Sequence, residues 1–155
     1  MLDTAFDGEL SDHDWDHCLG GMHVLLREEQ EIVGHAAVIQ RRLLHGEQAI
    51  RTGYVEGVAV RADRRRRGHG SMLTAAVECI VRGAYELGAL GATDEGASLY
   101  AASGWQRWEG PTSVLTPTGI RRTPGDDGCV FVLPVSVDLD LTAELTCDWR
   151  DGNVW

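Results

Sequence analysis

Between Val55 and Leu87 the hydrophobic period of the chain changes once, and abruptly. Gln48 to Arg61 is an apolar run with β-branched residues, of the kind that forms a strand. Leu73, Ala76, Val77, Ile80, Ala84 and Leu87 then recur at helical spacing, with Gly88 as the C-terminal stop. Between the two lies the turn Ala62-Asp63-Arg64-Arg65-Arg66-Arg67-Gly68-His69-Gly70, and the helix opens near Ser71. Such a junction gathers unpaired helical N–H groups, the positive end of a helix dipole, and glycines that let an anion reach the backbone. Consecutive arginines elsewhere usually mark a solvated turn. Here Arg65, Gly68 and Gly70 have the spacing R-x-x-G-x-G between a strand and a helix, and the turn is read as an anion-binding loop.

The remaining segments are mostly strand-like. Ser11 to Leu19 reads as a short helix, with Ser11 as N-cap, Asp14 in place of the usual Glu of a capping box, and Gly20-Gly21 ending it. His23 to Arg27, Glu31 to Gln40 and Gln48 to Arg61 read as an antiparallel meander turned at Glu28-Glu29-Gln30 and His45-Gly46-Glu47. A strand near Ala89 to Thr93 and a helix near Ala97 to Ser103 follow, then apolar segments at Trp105 to Trp108 and Cys129 to Leu139, where Pro134 argues for an edge or a bulge. Gly110 to Gly128 holds three of the four prolines and no clear period, and is expected to be a long functional loop. The pattern predicts an α+β fold, a mixed and mostly antiparallel sheet flanked by helices, as a single domain over residues 1–155.

Composition excludes several classes of function. The net charge is −10, with no lysine and 14 arginines, which argues against nucleic acid and suits a cationic partner. Apolar runs fall short of the ~18 residues of a membrane span, and Met1 to Glu9 carries acids where a signal peptide is basic, so a cytoplasmic protein without a membrane partner is expected. Cys18, Cys79, Cys129 and Cys147 have no CxxC spacing, which suggests four reduced, mostly buried thiols and no metal site.

The stretch from Val55 to Ser71, with its V-x-x-V-A-V strand, resembles the acetyl-CoA pyrophosphate loop of the GNAT superfamily. Leu99-Tyr100-Ala101-Ala102-Ser103-Gly104-Trp105 resembles the LYxxxGF segment of the same superfamily, where the tyrosine lies near the cofactor sulfur. The resemblance implies the GNAT acyl-CoA N-acyltransferase fold with acetyl-CoA as co-substrate. It also implies coenzyme A contacts from Val58, Val60, Arg65, Arg66, Gly68, His69, Gly70 and Ser71.

Acetyl transfer to an amine needs a deprotonated nucleophile, a stabilised oxyanion and a proton for the departing thiolate. Glu56 is the candidate base, acting through water, and in a regular strand Val58 would share its face. Gly57 between them is a plausible bulge, which would leave the Val58 N–H free to bind the thioester carbonyl. Tyr100 is the candidate acid.

Over essentially its whole length the sequence is also similar to the aminoglycoside 2'-N-acetyltransferases of mycobacteria and related actinobacteria. The carrying segments include Asp14-Trp15, Leu19-Gly20-Gly21-Met22-His23, His35 to Arg42, Gly53 to Asp63, Arg82-Gly83-Ala84-Tyr85, Gly110 to Leu115 and Cys147-Asp148-Trp149-Arg150. This implies acceptors of the gentamicin, tobramycin or kanamycin kind, antibiotic resistance as the outcome, and commonly a homodimer. It further implies an acidic drug site at Glu9, Asp14, Glu56, Asp126, Asn153 and Trp155, the last through its carboxylate. The family pattern has aspartate at the positions of Glu9 and Asn153. It also opens with a strand and a helix, so that Met1 falls inside the first helix region and the first strand is expected to be missing. Two rival readings remain open at this point: a GNAT enzyme for another cationic amine or amino-sugar metabolite, and a non-catalytic acyl-CoA-binding module.

Overall fold

The meander forms where alternation and turn residues place it. In the computed structural model, which describes residues 2–5, 8 and 10–155, helices α1 (Leu2–Ala5) and α2 (Asp12–Cys18) precede β1 (Met22–Glu28), β2 (Glu31–His45) and β3 (Gln48–Val60). The Ser11 hydroxyl accepts the Asp14 N–H and the Asp14 carboxylate accepts the Ser11 N–H, so the expected capping box is present. A 3-10 turn at Ala62–Arg64 leads into α3 (His69–Ala84), and β4 (Leu87–Gly91) and α4 (Asp94–Ala102) follow. The chain continues through β5 (Gln106–Arg107), β6 (Thr112–Thr116), β7 (Gly119–Arg122), a 3-10 turn at Pro124–Asp126, β8 (Val130–Pro134) and β9 (Leu145–Asp148). These strands form a nine-stranded sheet in the order β5-β8-β4-β3-β2-β9-β6-β7, with β1 paired to the first half of β2. Only β3–β4 and β6–β9 are parallel.

The sheet buries both faces. On one, α3 and α4 bring Leu73, Val77, Val81 and Tyr100 against Val55, Leu90, Phe131 and Leu133. On the other, Tyr54, Leu87, Ala89, Val130 and Val132 meet Trp108, Leu145, Cys147 and Trp155. The alternation of 130 and 132 against 131 and 133 is the two-residue period of a strand buried on both sides. No helix among the described residues is long and apolar enough to cross a membrane.

Three expectations need correction. Leu87 and Gly88 do not close α3. The helix ends at Ala84, the Glu86 N–H donates to the Arg51 carbonyl at 3.0 Å, and the Glu86 carboxylate accepts the Arg51 N–H at 2.9 Å. These bonds draw the next residues alongside β3, and parallel pairing claims Leu87 although its spacing fits the helix. Gly88 lies in β4 with its Cα against Trp105 and Val81, where a Cβ would come within 3.0 Å of each. Residues 110–128 are not a loop: they hold the β6–β7 hairpin, and their prolines stand at strand ends and turns. Pro134, the last residue of β8, stands at the edge its type suggests: it pairs with Leu87 of β4, and β5 on the other side reaches only Phe131 and Val132. Finally, Cys79 and Cys129 are exposed, and only Cys18 and Cys147 are buried.

Candidate active site

β3 and β4 begin as parallel neighbours and then separate. Thr52 pairs with Leu87, Gly53 with Gly88 and Tyr54 with Ala89, and no pair follows, although β3 runs on to Val60. Strand twist is amplified at this point by a bulge: His35 faces Ala59 and Ala37 faces Glu56, so Gly57 and Val58 together stand opposite Ala36. Gly57 takes φ +56°, a left-handed conformation that an L side chain adopts only at a cost. A cleft of about 760 Å³ opens in the gap, lined on the β3 side by residues 55–60 and on the α4 side by Gly91 to Thr93, Leu99 and Tyr100.

The bulge corrects one expectation while meeting another. Gly57 is the bulge residue, and the extra residue shifts the alternation by one. Val58 and Val60 therefore pack with Val55 on the α3 face, whereas Glu56 stays on the Tyr54 face. Glu56 and Val58 do not share a face. They meet the cleft from opposite sides of the strand, which lets the Glu56 carboxylate and the Val58 backbone address one point in it.

One end of the cleft is basic. Gly68, at φ +83°, is the N-cap of α3, and the first helical bond runs from the Met72 N–H to the Gly68 carbonyl at 3.1 Å. The N–H groups of His69, Gly70 and Ser71 lie ahead of that bond and have no partner within the helix. Arg65, Arg66, His69 and Gly70 line the cleft; Gly68 and Ser71 stand beside it at the helix start. The arginine run divides by task. Arg61 pairs with Glu31 and Asp63, and Arg64 with Glu28 and Asp63, which fastens the loop to the β1–β2 turn. Arg65 is held by the Val60 carbonyl at 3.2 Å and the Ala5 carbonyl at 3.0 Å. His69 leans on Glu28 at 3.1 Å. Arg66 makes no such contact among the described residues, and takes a left-handed φ of 61°.

The other end is acidic and is organised by the C-terminal residues. Arg150 donates through Nη1 to Glu56 and through Nε to the Asn153 carbonyl at 2.8 Å, with its guanidinium 5.5 Å from the centre of the Tyr54 ring. Arg41, buried, bonds the Asp148 carboxylate at 2.7 Å and the Val154 carbonyl at 2.8 Å, and lies 4.6 Å from the same ring. Two guanidiniums thus fix β9 and the residues after it to β2 and β3. Trp155 is buried, its indole donating to Thr123 at 2.9 Å and its backbone N–H to the Asn153 side-chain oxygen at 3.3 Å. The amide at 153 keeps an acceptor where the family pattern has a carboxylate. The main-chain carbonyl carbon of Trp155 sits beside Gly91, which lines the cleft.

Asp14, Asp126, Asn153 and Trp155 are near this end but do not line the cleft itself. Asp14 completes the capping box of α2; burial opposes its ionisation, but the Ser11 hydrogen bonds, His17 and Arg150 outweigh it and lower its pKa. Asp126 is partly buried, and burial together with Asp127 raises its carboxyl above the ordinary value against a hydrogen bond from Thr123. Asp127 is occupied structurally by Arg122 and Thr112, which hold it at a pKa of about 2. Glu9 lies outside the described residues.

Tyr100 completes the wall. Its ring is edge-on to Trp105 at 6.0 Å between centroids, and burial pushes its hydroxyl up to a pKa of about 12, so it carries its proton at neutral pH. Sequence reasoning missed Arg150, Tyr54 and His35. Only the first carried a usable signal, a lone cation within an acid-rich segment.

A splayed parallel pair, a bulge at the splay and a helix start at its mouth form this cleft, and the sequence comparison gives the class of enzyme to which it belongs. The model of the acetyltransferase (GNAT) domain matches residues 1–107, and the chain belongs to the GNAT acetyltransferase family. Within that class it groups with the aminoglycoside 2'-N-acetyltransferases: a protein of that name from Mycolicibacterium fortuitum is 54% identical over 159 aligned residues, covering all of this chain and 82% of the relative. Among solved structures, the GNAT family N-acetyltransferase YhbS of Escherichia coli, determined in complex with CoA, aligns with a TM-score of 0.61 at 14% identity, over 94% of this chain and 75% of that one. Eis1 of Mycobacterium abscessus aligns with a TM-score of 0.57 at 20% identity over 72% of this chain, which spans 28% of Eis1. At these identities the structural likeness speaks for the fold alone.

Proposed function

We propose that the chain transfers the acetyl group of acetyl-CoA to the 2'-amine of aminoglycoside antibiotics, and so confers resistance to them. The observation that carries this is the polarity of the cleft. Its basic end, at the start of α3, suits a pyrophosphate; its other end holds Glu56, bonded to Arg150 and with Asp14 close by, and suits an aminoglycoside amine; and the bulge lies between them. The fold, the full-length relative named for this activity and the net charge of −10 support the same reading.

In the mechanism Glu56 receives the ammonium proton through water, and the free amine attacks the thioester carbonyl to form the N–C bond of a tetrahedral intermediate. The Val58 N–H donates to its oxyanion. As the carbonyl re-forms the C–S bond breaks, Tyr100 gives its proton to the departing thiolate, and Tyr100 is reprotonated through solvent by the second proton that the attacking nitrogen loses on becoming the amide. Asp14, Asp126, Asn153, Trp155 and Glu9 surround the acceptor, and the coenzyme lies along Val58, Val60, Arg65, Arg66, Gly68, His69, Gly70 and Ser71. The same reading makes the enzyme one domain, places it in the cytoplasm, where acetyl-CoA is made, and makes it a homodimer.

Three variants test coenzyme binding and departure. Arg66→Ala should raise the acetyl-CoA KM about ten-fold, the loss of one charge-assisted bond. Arg65→Ala should raise it less, because that guanidinium is already held by two carbonyls. Equal effects in steady-state kinetics would contradict this division. Tyr100→Phe keeps the packing against Trp105 and should lower kcat by about 100-fold with both KM values nearly unchanged. An unaltered kcat would remove Tyr100 as the acid.

A further inference from the structure

Two histidines behind the bulge have no part in the chemistry above. His35 on β2 is only 4% exposed, and its Nδ1 lies 2.7 Å from the Gly57 carbonyl oxygen. Its Nε2 lies 2.9 Å from Nδ1 of His23 on β1. A carbonyl oxygen can only accept, so His35 carries its proton on Nδ1; Nε2 is then the acceptor, and the His23 Nδ1–H donates to it. Burial, together with His23 and against the Gly57 bond, lowers the His35 pKa and favours the neutral ring, in which Nε2 is the acceptor.

The Gly57 carbonyl and the Val58 N–H belong to one planar peptide unit, trans as are all those described, and therefore point in opposite directions. Fixing the carbonyl toward His35 fixes the N–H toward the opening between β3 and β4. No other constraint on that peptide is as direct. Glycine at φ +56° is conformationally free, and beyond Tyr54 the strand has no β4 partner to hold its outer edge.

We propose that His35, oriented by His23, is a positioning residue that clamps the Gly57 carbonyl and so aims the Val58 N–H at the thioester carbonyl. This rests on the assignment of Val58 as the oxyanion donor. The clamp acts on the geometry of the donor and not on coenzyme affinity.

The test uses acetyl-CoA carrying ¹³C at its acetyl carbonyl, with the bound NMR shift and steady-state kinetics measured for the wild type, His35→Leu, His35→Asn and His23→Phe. Polarisation by the Val58 N–H should displace the bound shift from its free value in the wild type. His35→Leu should lose that displacement and about ten- to hundred-fold in kcat, the effect of a misdirected oxyanion donor, with the acetyl-CoA KM unchanged. His35→Asn puts an amide N–H near the place of Nδ1 and should restore most of both. No displacement in the wild type would refute the Val58 assignment itself. A displacement that survives in His35→Leu, or an asparagine variant no better than leucine, would overturn the clamp alone. Should the leucine variant fail to fold, His23→Phe probes the clamp from its outer end. A smaller loss of both signals is then expected, and an unchanged shift with unchanged kcat would overturn the proposal.

Discussion

Gly57→Ala, the addition of one methyl group, is expected to disable the site. An L residue at φ +56° is strained by about 1–2 kcal/mol, and the new Cβ would lie 2.8 Å from the Cys18 sulfur and 3.4 Å from the His35 ring. Overpacking of this kind adds about 1–3 kcal/mol more. The strand can relieve the strain only by giving up the bulge, and the alternation of Val58 and Val60 would then revert to that of a regular strand. Turnover should fall by about 100-fold or more, the loss of an oxyanion donor. Pairing Gly57→Ala with Cys18→Ala removes the steric contact and leaves the backbone strain, so thermal stability should recover in part and activity should not. Restored activity in the double variant would show that the bulge is not needed for catalysis.

The second large effect concerns Glu56. Glu56→Gln removes the proton acceptor and the charge that balances the Arg150 guanidinium, 15% exposed, while leaving it an amide oxygen, the Asn153 carbonyl and the face of Tyr54. A stability loss of about 1 kcal/mol is expected as a charge-assisted bond becomes an ordinary one. The rate should fall by about 100-fold or more near neutral pH. That deficit should shrink as the pH rises, because an acceptor amine that has already lost its proton needs no base. Arg150→Gln separates the two effects: it should lower stability while leaving the shape of the pH profile intact. A rate ratio between wild type and Glu56→Gln that stays flat across pH would show that Glu56 is not the base.

Much of this site was legible because its signals are local. The capping box at Ser11 and Asp14, the turns of the meander and the R-x-x-G-x-G loop are each written within a few residues. Gly57 inside a β-branched strand marked the bulge for the same reason. The segments that were misjudged depend on partners far along the chain. β9 is only four residues long, and it is a strand because β2, about a hundred residues before it, and β6, about thirty residues before it, border it on either side. β6 and β7 are rich in threonine and arginine, and Thr112, Ser113 and Thr116 are buried, so no apolar alternation announces them. Leu87 satisfied two periods at once, and the tertiary pairing decided between them.

The same distinction holds among the site residues. Glu56, Tyr100 and the loop arginines lie in segments with their own patterns. The ion pair between Arg150 and Glu56 and the contact of His35 with Gly57 join residues 94 and 22 positions apart, and nothing in the neighbouring sequence specifies either. Asp14 and Asp127 show the converse: an acid in an acidic protein can be occupied by a cap or an arginine, which only the fold reveals.

The central claim is that the cleft places a 2'-amine against the thioester of acetyl-CoA. Mass spectrometry after incubation with acetyl-CoA and an aminoglycoside bearing a 2'-amine, beside a matched drug with a hydroxyl at that position, tests it most directly. The account predicts one acetyl group on the first drug, located by fragmentation on the 2' nitrogen, and none on the second. Acetylation of both drugs at a shared amine, or of neither while another polyamine is acetylated, would contradict it.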